Sequence, residues 1–148
     1  MVSVSQARTL LDPKFPRLTD HNFSLTSPND TNYNCIAWAA GDNSRWWWPG
    51  SLIGFWPISD GSLSVDAFKK AFSELGYLEA TSHENADRFE RIAIYTKDGI
   101  PTHAARQIAD GTWTSKLGQA WDIAHEFDAL NDGEYGCPTI IMERDRKA

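Results

Sequence analysis

At Arg91 the chain stops reading as helix and starts reading as strand, a change of period that restricts it to folds in which helices precede an antiparallel sheet. Arg91-Ile92-Ala93-Ile94-Tyr95 is a strand run. Thr102 to Ile108 and Thr112 to Lys116 flank Asp110-Gly111 as a hairpin, and Thr139 to Met142 is a last short apolar strand. Ahead of them Ser64 to Leu75 predicts a helix, because Ser64 can cap it and Val65, Phe68, Ala71, Phe72 and Leu75 recur on one face until Gly76. A shorter helix is predicted to start at Cys35, where the turn-forming stretch from Ser27 to Asn32 gives way to Ile36-Ala37-Trp38-Ala39-Ala40 before Gly41. The class is therefore α+β, in a single domain over residues 1–148. Residues 1–32, punctuated by Pro13, Pro16 and Pro28, read as an extended arm, and 33–148 as the core.

The net charge of -6 argues against a nucleic-acid partner, since Lys69-Lys70 and the tail residues Arg144, Arg146 and Lys147 are the only basic clusters. No apolar stretch is long enough for a membrane span. The first residues lack the pattern of a secretory leader, so a cytoplasmic location is expected, with non-classical export left open. His21, His83 and His125 share no ligand spacing with Cys35 or His103, and Asp122 with His125 lacks further donors, so no metal is expected. Phosphate-loop and Gly-x-Ser-x-Gly motifs are absent, and no cofactor is implied.

What the chain does carry is a cysteine at a helix start and a histidine on a later strand. In the first turn Cys35 would meet unpaired backbone donors that favour the thiolate, whereas Cys137 enters an apolar strand and reads as core. A Cys35–Cys137 bridge would abolish such chemistry. His103 follows the turn Gly99-Ile100-Pro101 and is the candidate base. A group on the next strand would orient it: a two-residue Asp110-Gly111 loop pairs His103 with Gly118 and brings Thr114 and Lys116 to its face, while a bulged loop brings Ser115. Ser115 is preferred, because lysine offers no acceptor; a backbone carbonyl or Asp122 are the alternatives. The Cys35 N–H and an amide from Asn29, Asn32 or Asn34 are candidate oxyanion donors, set against ordinary capping roles. Trp46, Trp47 and Trp48 form either a stacking ledge beside the nucleophile or a plug for the end of the domain.

The segments Asn34-Cys35-Ile36-Ala37-Trp38-Ala39 and His103-Ala104-Ala105-Arg106-Gln107-Ile108-Ala109-Asp110-Gly111-Thr112-Trp113 resemble the nucleophile helix and histidine hairpin of the papain-like cysteine peptidase superfamily, in its small bacterial NlpC-type and transglutaminase-like branches. The chain is also similar to uncharacterised bacterial proteins with Asn-Cys-Ile-Ala-Trp-Ala and Trp-Thr-Ser-Lys-Leu-Gly segments. The resemblance implies a papain-like fold with the nucleophile helix on a small antiparallel sheet. It further implies a thiol-dependent hydrolase or acyltransferase that forms a thioester with an amide of a peptide, protein or cell-wall-derived substrate. Catalytic roles would fall to Cys35, His103 and Ser115, and oxyanion or substrate contacts to Asn34, Trp47 and Lys116. The departure is at Ser115, where those branches carry Asp, Asn, His or Gln. A non-catalytic binding module using the Trp-rich loop, and a delivered effector that modifies a target protein, are the rival expectations.

Overall fold

The computed structural model describes residues 3–11, 14–27, 32–50, 54–80, 87–117 and 122–146. In chain order the elements are α1 (Val4–Leu11), β1 (Phe23–Ser27), α2 (Cys35–Ala40), α3 (Val65–Ser73), β2 (Leu78–Ala80), β3 (Phe89–Lys97), β4 (Ile100–Gln107), β5 (Trp113–Lys116), β6 (Asp122–His125) and β7 (Cys137–Asp145). The strands form one seven-stranded sheet in the order β1-β6-β5-β4-β3-β7-β2. Every described pairing in it is antiparallel. An α+β architecture is thus present, with a larger sheet than the strand runs alone predict.

Residues 1–32 differ most from expectation. The stretch read as an extended arm folds into α1 and the edge strand β1, which joins β6 through Phe23↔His125 and Leu25↔Ile123. Ala7 and Leu11 of α1, together with Phe15, Leu18 and Phe23, pack on one face of the sheet against Ala93, Tyr95, Ala105, Trp113 and Ile123. On the opposite face Ile92, Ile94, Ala104 and Met142 meet Cys35, Ile36 and Ala37 of α2 and Phe68 and Phe72 of α3. Strand alternation makes this division: neighbours along β3 and β4 point to opposite sides, so each apolar run feeds two cores.

The start of α2 is tied to the tryptophan loop by one side chain. Asn34 caps the helix by accepting from the Ala37 N–H at 3.1 Å, and the same oxygen accepts from the Trp47 N–H at 3.0 Å while its nitrogen donates to the Trp47 carbonyl at 2.8 Å. Trp47 is only 5 % exposed. Its ring lies edge-on to Phe55 at 5.0 Å and its indole N–H donates to Asp42 at 2.9 Å. Trp48 packs edge-on against Phe68 at 5.9 Å. The exposed ledge proposed for residues 46–48 is therefore not what this loop builds at Trp47: an amphipathic indole whose N–H finds a carboxylate partner buries more cheaply than it stays wet.

Candidate functional site

The β4–β5 ladder runs from Gln107↔Trp113 to Arg106↔Thr114. Continuing that register places Ser115 opposite Ala105 and so on the face of His103, the outcome expected of a loop longer than two residues. The two side chains do meet: His103 Nε2 lies 3.0 Å from Ser115 Oγ. Beyond it, Ser115 Oγ is 2.7 Å from His125 Nε2 on β6, and His125 Nδ1 is 2.7 Å from the Glu126 carbonyl oxygen. His103, Ser115 and His125 are all buried, at 0 %, 1 % and 3 % exposure. The ring of Tyr135 stacks on His103 at 4.1 Å and 3°, and Tyr95, its partner across β3–β4, meets it edge-on at 5.1 Å. The remaining nitrogen, His103 Nδ1, is buried without a hydrogen-bond partner.

Burial holds the His103 imidazole well below the usual histidine range, and the nearby His125 acts in the same direction. Burial also pushes His125 down to about 4, against the Glu126 carbonyl, which pulls it up. Both rings are therefore neutral at physiological pH. Spacing along the chain offers His125 only as a metal ligand without further donors. Its partnership with Ser115 follows from β5–β6 pairing, in which Trp113↔His125 brings His125 to the same face as Ser115. No group of metal-holding side chains occurs among the described residues.

Cys35 lies on the other side of the sheet. Its helix packs on β4 through Ala104, the neighbour of His103, so the expected packing of helix on strand is present while the imidazole turns to the far face. The sulfur accepts backbone N–H bonds from Ala104, Ile36 and its own residue, and it feels the Lys116 ammonium. Ala104 has this N–H to offer because the described β4–β5 ladder ends at Arg106↔Thr114. The donors and the cation favour a thiolate, but burial is the larger effect and pushes the Cys35 thiol up to about 11. The low thiol pKa expected from helix position alone is thus corrected, because position says nothing of desolvation. Both cysteines are free, with no bridge between them, and no hydrogen bond joins Cys35 to His103.

Lys116 is fully buried on the Cys35 side. Its ammonium lies 3.4 Å from Asp122 and 5.1 Å from the Tyr33 ring centre, and the Tyr33 hydroxyl donates to Asp122 at 2.7 Å. Lys116 is thereby held in an internal network, as Asn34 is held in its cap, rather than presented to solvent. Asn32 is exposed. Asn29, His83 and Gly118 lie outside the described residues. An open cleft of about 660 Å³ borders His125, Glu126, Trp113 and Phe127 on the β1–β6 side, away from the sulfur.

These placements give a labelling order opposite to the one read from helix position. With iodoacetamide at pH 7.5, half-exposed Cys137 is expected to be alkylated well before Cys35. A thiol titrating near 11 is ionised in only about one molecule in several thousand at that pH, and Cys35 is 7 % exposed. Peptide mapping of a time course gives the order, and faster labelling of Cys35 would mean that the buried thiol is not the resting form.

A family model for a domain of unknown function (DUF7689) matches residues 24–143. No curated protein and no solved structure matches the chain. Among the described residues no helix is long and apolar enough to cross a membrane.

Proposed function

The chain belongs to the DUF7689 family, and we propose that its activity is thiol-dependent acyl transfer on an amide of a peptide, protein or cell-wall-derived substrate, with Cys35 as nucleophile and His103 as base and acid. One observation carries the reading. A buried ring nitrogen without a partner, His103 Nδ1, belongs to the residue whose following amide, Ala104 N–H, is the one the Cys35 sulfur accepts from. An unpartnered buried polar atom costs roughly 1–3 kcal/mol, a cost that a base awaiting its proton donor would account for. The resting protein holds the thiol and the imidazole on opposite faces of the sheet, so the working pair requires the sulfur to leave the Ala104 amide and reach Nδ1 through the gap beyond Arg106↔Thr114, where the described β4–β5 ladder ends, as substrate enters.

In that pair the Cys35 proton passes to His103 Nδ1 while sulfur attacks the carbonyl carbon. The C–S bond forms, the carbonyl electron pair moves to oxygen, and the backbone N–H groups of Cys35 and Ile36 that face the sulfur are placed to receive the new charge. Collapse expels the amine, which takes its proton from His103. Water or a second amine then attacks the thioester, with His103 again accepting a proton, and the thiol is restored. The resemblance to papain-like peptidases agrees with this order of residues. The rival reading as a binding module on the Trp loop has less surface to use, because Trp47 is buried.

In a Cys137→Ser background, p-nitrophenyl acetate is expected to acetylate Cys35 with release of p-nitrophenol. Replacing His103 by Ala should slow this at least about a hundredfold, the low end of what a general base supplies. Mapping the acetyl group and following phenolate release test it together. Acetylation at unchanged rate in a folded His103→Ala chain, or none at Cys35, overturns the proposal.

A further inference from the structure

We infer that His125 is a positioning residue which, acting through Ser115, fixes the proton of His103 on Nε2 and leaves Nδ1 as a bare lone pair. Each link follows from what its atoms can donate. The Glu126 carbonyl can only accept, so the His125 Nδ1 at 2.7 Å carries a hydrogen. In a neutral ring the other nitrogen, Nε2, is then unprotonated and can only accept. Ser115 has one hydroxyl proton, and the 2.7 Å contact with His125 Nε2 takes it. The Ser115 oxygen is left with lone pairs alone, so the 3.0 Å contact with His103 must be donated by His103 Nε2–H. A neutral His103 protonated on Nε2 has nothing on Nδ1.

The direction is set at one end and runs through three side chains to the other. Without the carbonyl anchor, Ser115 could give its proton to either imidazole, and His103 could carry its own on either nitrogen. Rotation of the His103 ring about its Cβ–Cγ bond, which would put carbons where the two nitrogens lie, is opposed by the parallel Tyr135 ring at 4.1 Å and the edge contact with Tyr95 at 5.1 Å. The arrangement also gives Ser115 a defined part: it passes on the polarity set by His125 and is not itself aligned for attack. What the bare Nδ1 is for rests on the thiol reading above, whereas the proton positions do not.

Long-range ¹H–¹⁵N correlation spectra of histidine-labelled protein at pH 7.5 read the protonated nitrogen of each ring directly. His103 is expected to show Nε2 protonated and Nδ1 bare, and His125 the reverse, two opposite tautomers in one chain. Replacing His125 by Ala should move both His103 nitrogens toward averaged values, and His125→Gln, whose amide oxygen can accept from Ser115, should largely restore them. A parent spectrum with His103 protonated on Nδ1 overturns the inference, and that spectrum decides even if the variants fail to fold. So does a folded His125→Ala chain with an unchanged His103 pattern. If the tautomers are as expected but Cys35 acetylation is indifferent to His103, the proton positions stand and the thiol reading falls.

Discussion

Lowering the pH from 7 to 4.5 is expected to destabilise the fold by several kcal/mol, with the buried imidazoles as the main cause. His125 titrates near 4 in the folded protein, from an ordinary value of 6.5, because burial disfavours its charged form. The unfolded chain therefore takes up the proton first, and stability falls as pH drops below about 6.5, with a slope approaching 1.4 kcal/mol per pH unit until the folded value is passed. Over that window His125 alone removes roughly 3 kcal/mol. His103, depressed by the same burial, adds a contribution of the same sign that continues to lower pH. Above pH 7 both groups are neutral in either state and contribute no slope. Urea denaturation at pH 7.5, 6.5, 5.5 and 4.5 measures the effect, and His125→Gln should remove about half of the slope. A stability that does not change over this range would mean that these rings carry water or charge in the folded state.

The second large effect is expected at Gly136. A methyl group built there would collide with the Thr96 carbonyl oxygen and lie 3.1 Å from the Lys97 Cα, both backbone atoms that cannot turn aside, and φ is +78°. Positive φ and overpacking together should cost Gly136→Ala roughly 3 kcal/mol or more. Gly99 has the same φ of +78° but nothing within 4 Å, so Gly99→Ala should lose only about 1 kcal/mol. The difference between the two in urea denaturation isolates the close approach of the β6–β7 turn to β3, and equal losses would refute it. The turn matters for the site because Tyr135, the residue before this glycine, supplies the ring stacked on His103.

The middle of the sheet was readable in the chain because its apolar runs are continuous and bounded by turn residues. Ile92, Ile94, Ala104 and Ala105 mark β3 and β4, whereas register left Ser115 and the Thr114–Lys116 pair as alternatives facing His103, and the choice of Ser115 rested on its having an acceptor. β1 and β6 were not readable. Asp122–His125 contains a single β-branched residue, and Phe23–Ser27 sits in a proline-punctuated stretch, so both owe their strand state to neighbours far along the chain. With β6 unseen, His125 had no face and no partner. The thiol failed for another reason: a helix start predicts donors around Cys35, and they are there, but the desolvation that outweighs them depends on how α2 is covered. Trp47 was open to either reading because an indole is equally suited to a wet ledge and to a core with one carboxylate beside it.

The sheet order also bears on how the chain assembles. β3 meets β4 through a tight turn, whereas β1 finds β6 only after about a hundred intervening residues are brought round. Closing so long a loop costs roughly 3 kcal/mol more in chain entropy than closing a hairpin. The central strands are therefore expected to form early, with the N-terminal segment docking onto them at the end. That segment supplies Ala7, Leu11, Phe15, Leu18 and Phe23, which cover the face where His103, Ser115 and His125 lie. The imidazoles then remain wet through most of folding, and become unable to hold a charge only when that segment closes over them.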